Sequence, residues 1–203
     1  MIFPRFIYFL CRKNLLLHYN YIYRKDMEDK PKTLQEHAMR FGTMMGIFWI
    51  IKFSFLPMGF KTPLLQLLFI FMTLFVPILG YIYIRKYRER YCGGELSFIR
   101  GWVFSLYMYF FASLLTAAAH YIYFRFIDNG YLMGTYMEQL ENLKSTLTGD
   151  LETSIDQLIQ NLETIASMSA LQLTMQLIFQ NIFYGALLSL PTALLAMRRK
   201  KNP

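Results

Sequence analysis

Four long apolar stretches, at residues 42–60, 64–84, 101–127 and 171–197, alternate with polar segments along the chain. A bilayer's hydrocarbon core is about 30 Å thick, and a helix needs about 20 apolar residues to cross it. Each stretch is of that order, so the pattern predicts four membrane-spanning helices. The segment between the third and fourth stretches has a different pattern. Met133, Tyr136, Leu140, Leu143 and Leu147 recur at steps of three and four, as do Leu151, Ile155, Leu158, Leu162 and Ile165. Such stripes read as two amphipathic helices. Thr148-Gly149-Asp150 divides them, with Gly149 suited to a helix stop and Asp150 to a helix start. The expected fold is all-α: an integral membrane four-helix bundle with an extramembrane helical hairpin, about residues 131–168, between helices 3 and 4. The hairpin's apolar seam is expected to pair with itself.

Charge adds a direction. Arg5, Arg12, Lys13, Arg24, Lys25, Lys30, Lys32 and Arg40 precede the first stretch. Arg85, Lys86, Arg88, Arg90 and Arg100 lie between the second and third, and Arg198, Arg199, Lys200 and Lys201 follow the fourth. These are 17 of the 21 basic residues. The segment 128–169 carries seven acidic residues against Lys144 alone. Lys and Arg placement sets orientation, so both termini are expected in the cytoplasm. The net charge of +8 is explained by these flanks, and nucleic acid is not an expected partner. Only 17% of residues are charged, where a soluble domain averages about 25%. Cys11 and Cys92 both fall on the predicted cytoplasmic side, where a disulfide is not expected.

Residues 1–40 form a basic cytoplasmic N-terminal segment ahead of a membrane domain at 41–201. Its first part has a short apolar run at 2–10, interrupted by Pro4 and Arg5, which does not fit a signal peptide. Two readings stand for it. Tyr8, Tyr19, Tyr21 and Tyr23 among basic residues suit an interfacial helix. Alternatively, translation starts at Met27, and Glu28-Asp29-Lys30 is the polar leader.

Several residues inside the stretches stand out. Gly42 and Gly46 form a GxxxG spacing, which lets helix backbones approach closely, within the chain or between copies. Lys52 is costly at mid-bilayer. Pro57, Gly59 and Phe60 mark an early helix end that brings it within snorkelling reach of the outer surface. His120 sits among Tyr121, Tyr123 and Arg125 near the outer end of the third stretch. It reads as a hydrogen-bonded structural residue or as a functional ionisable group. Gln172, Gln176 and Gln180 recur every four residues with Asn181 beside them, so their amides share one helical face. In lipid such a face is expected to turn to the bundle or to water, as interhelical glue or as a polar path. Pro77 and Pro191 are expected to bend their helices. Gly93-Gly94 suits a tight turn, and Ser97 suits a cap for the third helix.

No P-loop, HExxH, GxSxG or paired-histidine motif is present, and no cofactor or metal site is expected. The run from Gly93 to Gly101, the stretch at 121–128, the acidic outer segment and the basic end at 191–201 carry a family resemblance. Over about residues 27–201 the chain resembles the bacterial four-helix membrane proteins catalogued as domain of unknown function 4199. The resemblance implies a multi-pass protein of the bacterial inner (cytoplasmic) membrane, and it brings no known activity or catalytic residue. The expected function is non-enzymatic: a structural or partner-binding role in contact with membrane lipid, with a homo-oligomer or a membrane protein as partner. The alternative is a small oligomeric transport or permeation unit using the polar face of helix 4.

Overall fold

The computed structural model describes residues 33–146 and 148–198. The two readings of residues 1–26, the basic residues after Arg198, and Leu147 of the first stripe lie outside the described residues. From Leu34 onward the chain forms a unit of its own. It contains six helices: α1 Leu34–Gly59, α2 Pro63–Tyr91, α3 Phe98–Phe126, α4 Tyr131–Lys144, α5 Asp150–Ala166 and α6 Ala170–Ala196. Helices α1, α2, α3 and α6 are long and apolar enough to cross a membrane. No strand forms among the described residues beyond an isolated bridge between Leu96 and Arg198.

The long helices run past the apolar stretches where one face turns polar. Helix α1 begins eight residues before Gly42, because His37, Ala38 and Phe41 are buried while Gln35, Glu36 and Arg40 are exposed. Helix α2 continues to Tyr91 for the same reason: Tyr87 and Arg88 are buried while Lys86, Glu89 and Arg90 are exposed. Pro63 opens α2 at a position where its missing N–H costs nothing. Pro57, Pro77 and Pro191 all lie inside helices that continue through them.

Large apolar side chains point outward along the four long helices. Leu64 is 72% exposed, and Phe71 and Leu74 are each 67% exposed. Ser105, Ser113, Thr116, Ser189 and Thr192 are buried between helices instead. In water this distribution would be unstable. In lipid it is expected, because tails solvate the apolar exterior and small residues let helices approach. The exterior and the helix lengths together read as a membrane protein.

Side-chain contacts set the order of the bundle. Phe41 meets Tyr83 and Phe48 meets Phe75, so α1 and α2 are antiparallel. Gly42 abuts Met108, and Phe53 meets His120, so α1 and α3 are parallel. Gly80 lies against Thr192 and Arg88 against Ala196, so α2 and α6 are parallel. The neighbours around the bundle are α1, α2, α6 and α3; α2 and α3 face each other across a diagonal with little contact. The α2–α3 connection therefore crosses the basic end of the bundle. Gly93 (φ +63°) and Gly94 (φ +86°) turn it, and Ser97 caps α3 by accepting from the Arg100 N–H at 3.4 Å.

This crossing loop is tied to the end of α6. Leu96 and Arg198 exchange backbone hydrogen bonds of 3.0 and 2.9 Å. The Arg88 Nη1 donates to the Ala196 carbonyl at 2.8 Å. A guanidinium at a helix C-terminus satisfies an otherwise orphaned carbonyl and complements the helix dipole. Above the tie, Tyr87 stacks on Phe104 at 4.1 Å, and Ile84, Leu96 and Met108 are fully buried, so the basic end of the bundle is closed.

At the opposite end, Asp128 receives the Gly130 and Leu132 N–H groups at 3.2 and 3.0 Å and so starts α4. Helices α4 and α5 pack on each other, as the self-pairing seam requires, and Lys144 pairs with Asp156 at 2.5 Å. The covered face follows most of the two stripes read in the sequence: Met133, Tyr136, Leu140, Ile155, Leu162 and Ile165 are at least half-buried, whereas Leu143, Leu151 and Leu158 are exposed. Tyr136 packs edge-on against Phe60 at 4.8 Å, which seats α4 on the α1–α2 turn.

Candidate functional site

The glycines of the GxxxG spacing are buried where α1 meets α3. A Cβ placed on Gly42 would come within 2.6 Å of the Met108 carbonyl oxygen and 2.8 Å of Phe111 Cβ. At Gly46 the nearest atoms would be Leu115 and the Ala112 carbonyl, at 3.0 and 3.1 Å. Both glycines thus serve contact within the chain. Gly185 does the same on α6, where a Cβ would lie 2.6 Å from Tyr109 Cβ.

The close approach of α1 and α3 ends near Thr116, whose hydroxyl donates to the Ala112 carbonyl at 2.8 Å and reaches the Gly46 carbonyl at 3.5 Å. Beyond it the helices leave a cavity of about 170 Å³, partly open, lined by Trp49, Lys52, Phe53, Leu56, Phe69, Thr116, His120, Leu177 and Asn181. Four helices contribute to it. Trp49, Lys52, Phe53 and Leu56 stand at helical spacing on α1, and Thr116 and His120 are one turn apart on α3. His120 packs edge-on against Phe53 at 4.2 Å, and Trp49 stacks on Tyr109 at 6.1 Å. The Lys52 ammonium lies 5.5 Å from the centre of the Phe69 ring, within cation–π range. Among the described residues Lys52 makes no ion pair. His120 Nδ1 and Trp49 Nε1 are buried without a hydrogen-bond partner there. Four further buried side-chain atoms, on Arg88, Trp102, Ser105 and Tyr109, are also without a partner among the described residues, so it is the Lys52 ammonium that sets this cavity apart.

The glutamine row lies elsewhere: of the two placements expected for it, toward the bundle or toward water, it does not take the first. Gln172, Gln176 and Gln180 are all exposed. The bundle-facing stripe of α6 is Thr174, Gly185, Ser189, Thr192, Ala193 and Ala196, with Asn181 half-buried. These side chains are short enough for α3 and α2 to approach, and a glutamine is not. Gln172 is absorbed locally in a capping box: its Oε1 accepts from the Ser169 N–H at 2.8 Å, and the Ser169 hydroxyl receives the Gln172 N–H. Among the described residues Gln176 and Gln180 make no side-chain hydrogen bond, so they are not glue within the chain. Gln172 and Gln176, but not Gln180, border a shallow groove of about 370 Å³ with Met168, Leu171, Met175 and Phe179 at the hairpin end of α6.

A family model described as protein of unknown function (DUF4199) matches residues 40–198. The chain belongs to that family. The match covers all of the bundle except the first six residues of α1, with the hairpin and the Leu96–Arg198 tie, and it includes every residue of the cavity and of the α6 face. No curated protein and no solved structure matches the chain significantly.

Of the residues singled out in the sequence, the structure brings His120 and Asn181 together at the cavity. It places Gly42 and Gly46 one to two turns below, and it leaves Gln172, Gln176 and Gln180 outside. Lys52, also singled out in the sequence, lines the same cavity with its ammonium over the Phe69 ring. Trp49 and Thr116 on the lining were not: they carry no signal in a helix that is apolar all round, because such a helix does not declare its inward face.

Proposed function

We propose that the protein is a non-catalytic, multi-pass protein of a bacterial inner membrane, with both termini in the cytoplasm. We further propose that it works by binding partners within the membrane, a second copy of itself first. One observation carries this reading: the outer half of α6 presents Gln176 and Gln180, unpaired, among Leu171, Met175, Phe179 and Phe183 on the bundle's exterior. Gln180 lies ten residues into α6, about 15 Å from its outer end, at a rise of about 1.5 Å per residue. An amide held in lipid seeks a partner. A primary amide both donates and accepts, so this face is complementary to itself about a two-fold axis along the membrane normal. The outward placement of basic flanks on one side and acidic residues on the other supports the orientation.

The test is disulfide crosslinking in native membranes, in a Cys11→Ser, Cys92→Ser background. Gln176→Cys should give a dimer band, and Ile78→Cys on the exposed face of α2 should not. A monomer at Gln176→Cys, or equal bands at both positions, would remove the support. An oligomeric permeation unit is the second reading. It is favoured by the same row, which would then line a path between copies rather than through one, since Tyr87, Phe104 and Met108 close each bundle's basic end. Replacing the three glutamines by Leu should then abolish flux.

A further inference from the structure

We propose that the cavity at the outer half of the bundle binds a small apolar monocarboxylate, its carboxylate on Lys52 and its body against Phe53, Leu56, Phe69 and Leu177. This site is separate from the α6 face and does not depend on it. The charge of the ligand follows from the walls. Lys52 supplies three donors and one positive charge, and among the described residues no Asp or Glu lines the cavity. The Asn181 amide, on the same lining, can donate beside it. A carboxylate accepts from several donors at once, and such charge-assisted bonds are stronger than neutral ones. A ligand cation would instead meet Lys52 with nothing to offset the repulsion.

The same inventory limits the charge to one. Among the described residues the cavity walls hold a single ammonium, so the second negative charge of a dicarboxylate or a phosphate dianion would be buried without a counterion. Size sets the rest. A cavity of about 150 Å³ lined by apolar side chains takes up benzene. The roughly 170 Å³ here therefore suits a carboxylate with a ring or a short chain. The site is within reach of the outer face. Lys52 lies seven residues before the end of α1, or about 10 Å along the helix axis. The ligand could arrive from water or from the outer leaflet, and the probes below separate these sources.

The experiment uses the full chain in nanodiscs with Trp102→Phe, which leaves Trp49 as the only tryptophan. Its fluorescence is titrated with benzoate, which stays largely in water, and with octanoate, which partitions into lipid. Octylamine and octanol are matched controls. The expected result is a saturable change with at least one carboxylate and none with octylamine or octanol over the same range. Saturation by benzoate marks the aqueous source; saturation by octanoate alone marks the bilayer. In the Lys52→Met protein, whose fold is checked by its unfolding midpoint, the apparent Kd should rise at least tenfold. No saturable carboxylate response, or an equal response to octylamine, would overturn the proposal whether or not that variant folds. So would an unchanged Kd in folded Lys52→Met.

Discussion

Replacing Gly42 by alanine adds one methyl group at the point where α1 and α3 lie closest. The new Cβ would sit 2.6 Å from the Met108 carbonyl oxygen and 2.8 Å from Phe111 Cβ, where ordinary contact begins near 3.4 Å. The helices must separate by about 0.8 Å at that level, against backbone rather than a flexible side-chain tip. Overpacking of this kind costs about 1–3 kcal/mol. Against it stands the usual gain from Gly to Ala in a helix, about 0.4–1 kcal/mol, which arises largely in the unfolded chain. Gly134 in α4 isolates that gain, because a Cβ there meets nothing within 4 Å. The prediction is a difference: Gly42→Ala should be less stable than Gly134→Ala by about 1–3 kcal/mol, with Gly134→Ala itself at or above wild type. Reversible unfolding in mixed detergent micelles, followed by helical circular dichroism, measures both. If Gly42→Ala stabilised the protein as much as Gly134→Ala does, the close parallel packing of α1 on α3 would be refuted.

Other outcomes follow from the two ends of the bundle. Arg88→Met removes a charge-assisted bond to the Ala196 carbonyl, worth about 1.5–3 kcal/mol. Amide exchange at Leu96 and Arg198 should accelerate accordingly, while Arg90→Met, on an exposed site, should leave it unchanged. In the hairpin, Asp156 holds the Lys144 ammonium above its usual pKa, by a hydrogen bond and by charge. A raised lysine contributes in full below its unfolded pKa of about 10.4 and loses its contribution as pH rises through the folded value. The lysine's contribution should therefore be insensitive to pH across the neutral range and be lost in strong alkali. NMR titration of Lys144 should show its pKa fall in Asp156→Asn; an unmoved pKa would mean the pair does not form.

Much of the architecture is legible in the residues. The long apolar runs place four helices, the basic flanks distinguish the two ends, and Gly93-Gly94 and Ser97 mark a turn and a cap that the structure contains. What escapes is everything that depends on which side of an apolar helix faces in. The glutamine row looks like the natural interior of α6. Yet the seam is taken by Thr174, Gly185, Ser189 and Thr192, because close helix packing rewards small side chains over polar ones. Lys52 and His120 line one cavity from positions 68 apart, and Arg88 caps a helix that ends 108 positions later. No local pattern announces either, because both depend on which helices become neighbours, which charge and periodicity leave open. In the hairpin, the contact of Tyr136 with Phe60 is a tertiary one that the heptad spacing does not announce.

The account rests on four membrane crossings with the α4–α5 turn on one side and the α2–α3 loop on the other. In a Cys11→Ser, Cys92→Ser background, Thr148→Cys and Glu95→Cys place one thiol on each exposed loop. In right-side-out vesicles, a membrane-impermeant maleimide should label Thr148→Cys at once and Glu95→Cys only after permeabilisation. Immediate labelling of both, or of Glu95→Cys alone, would contradict it.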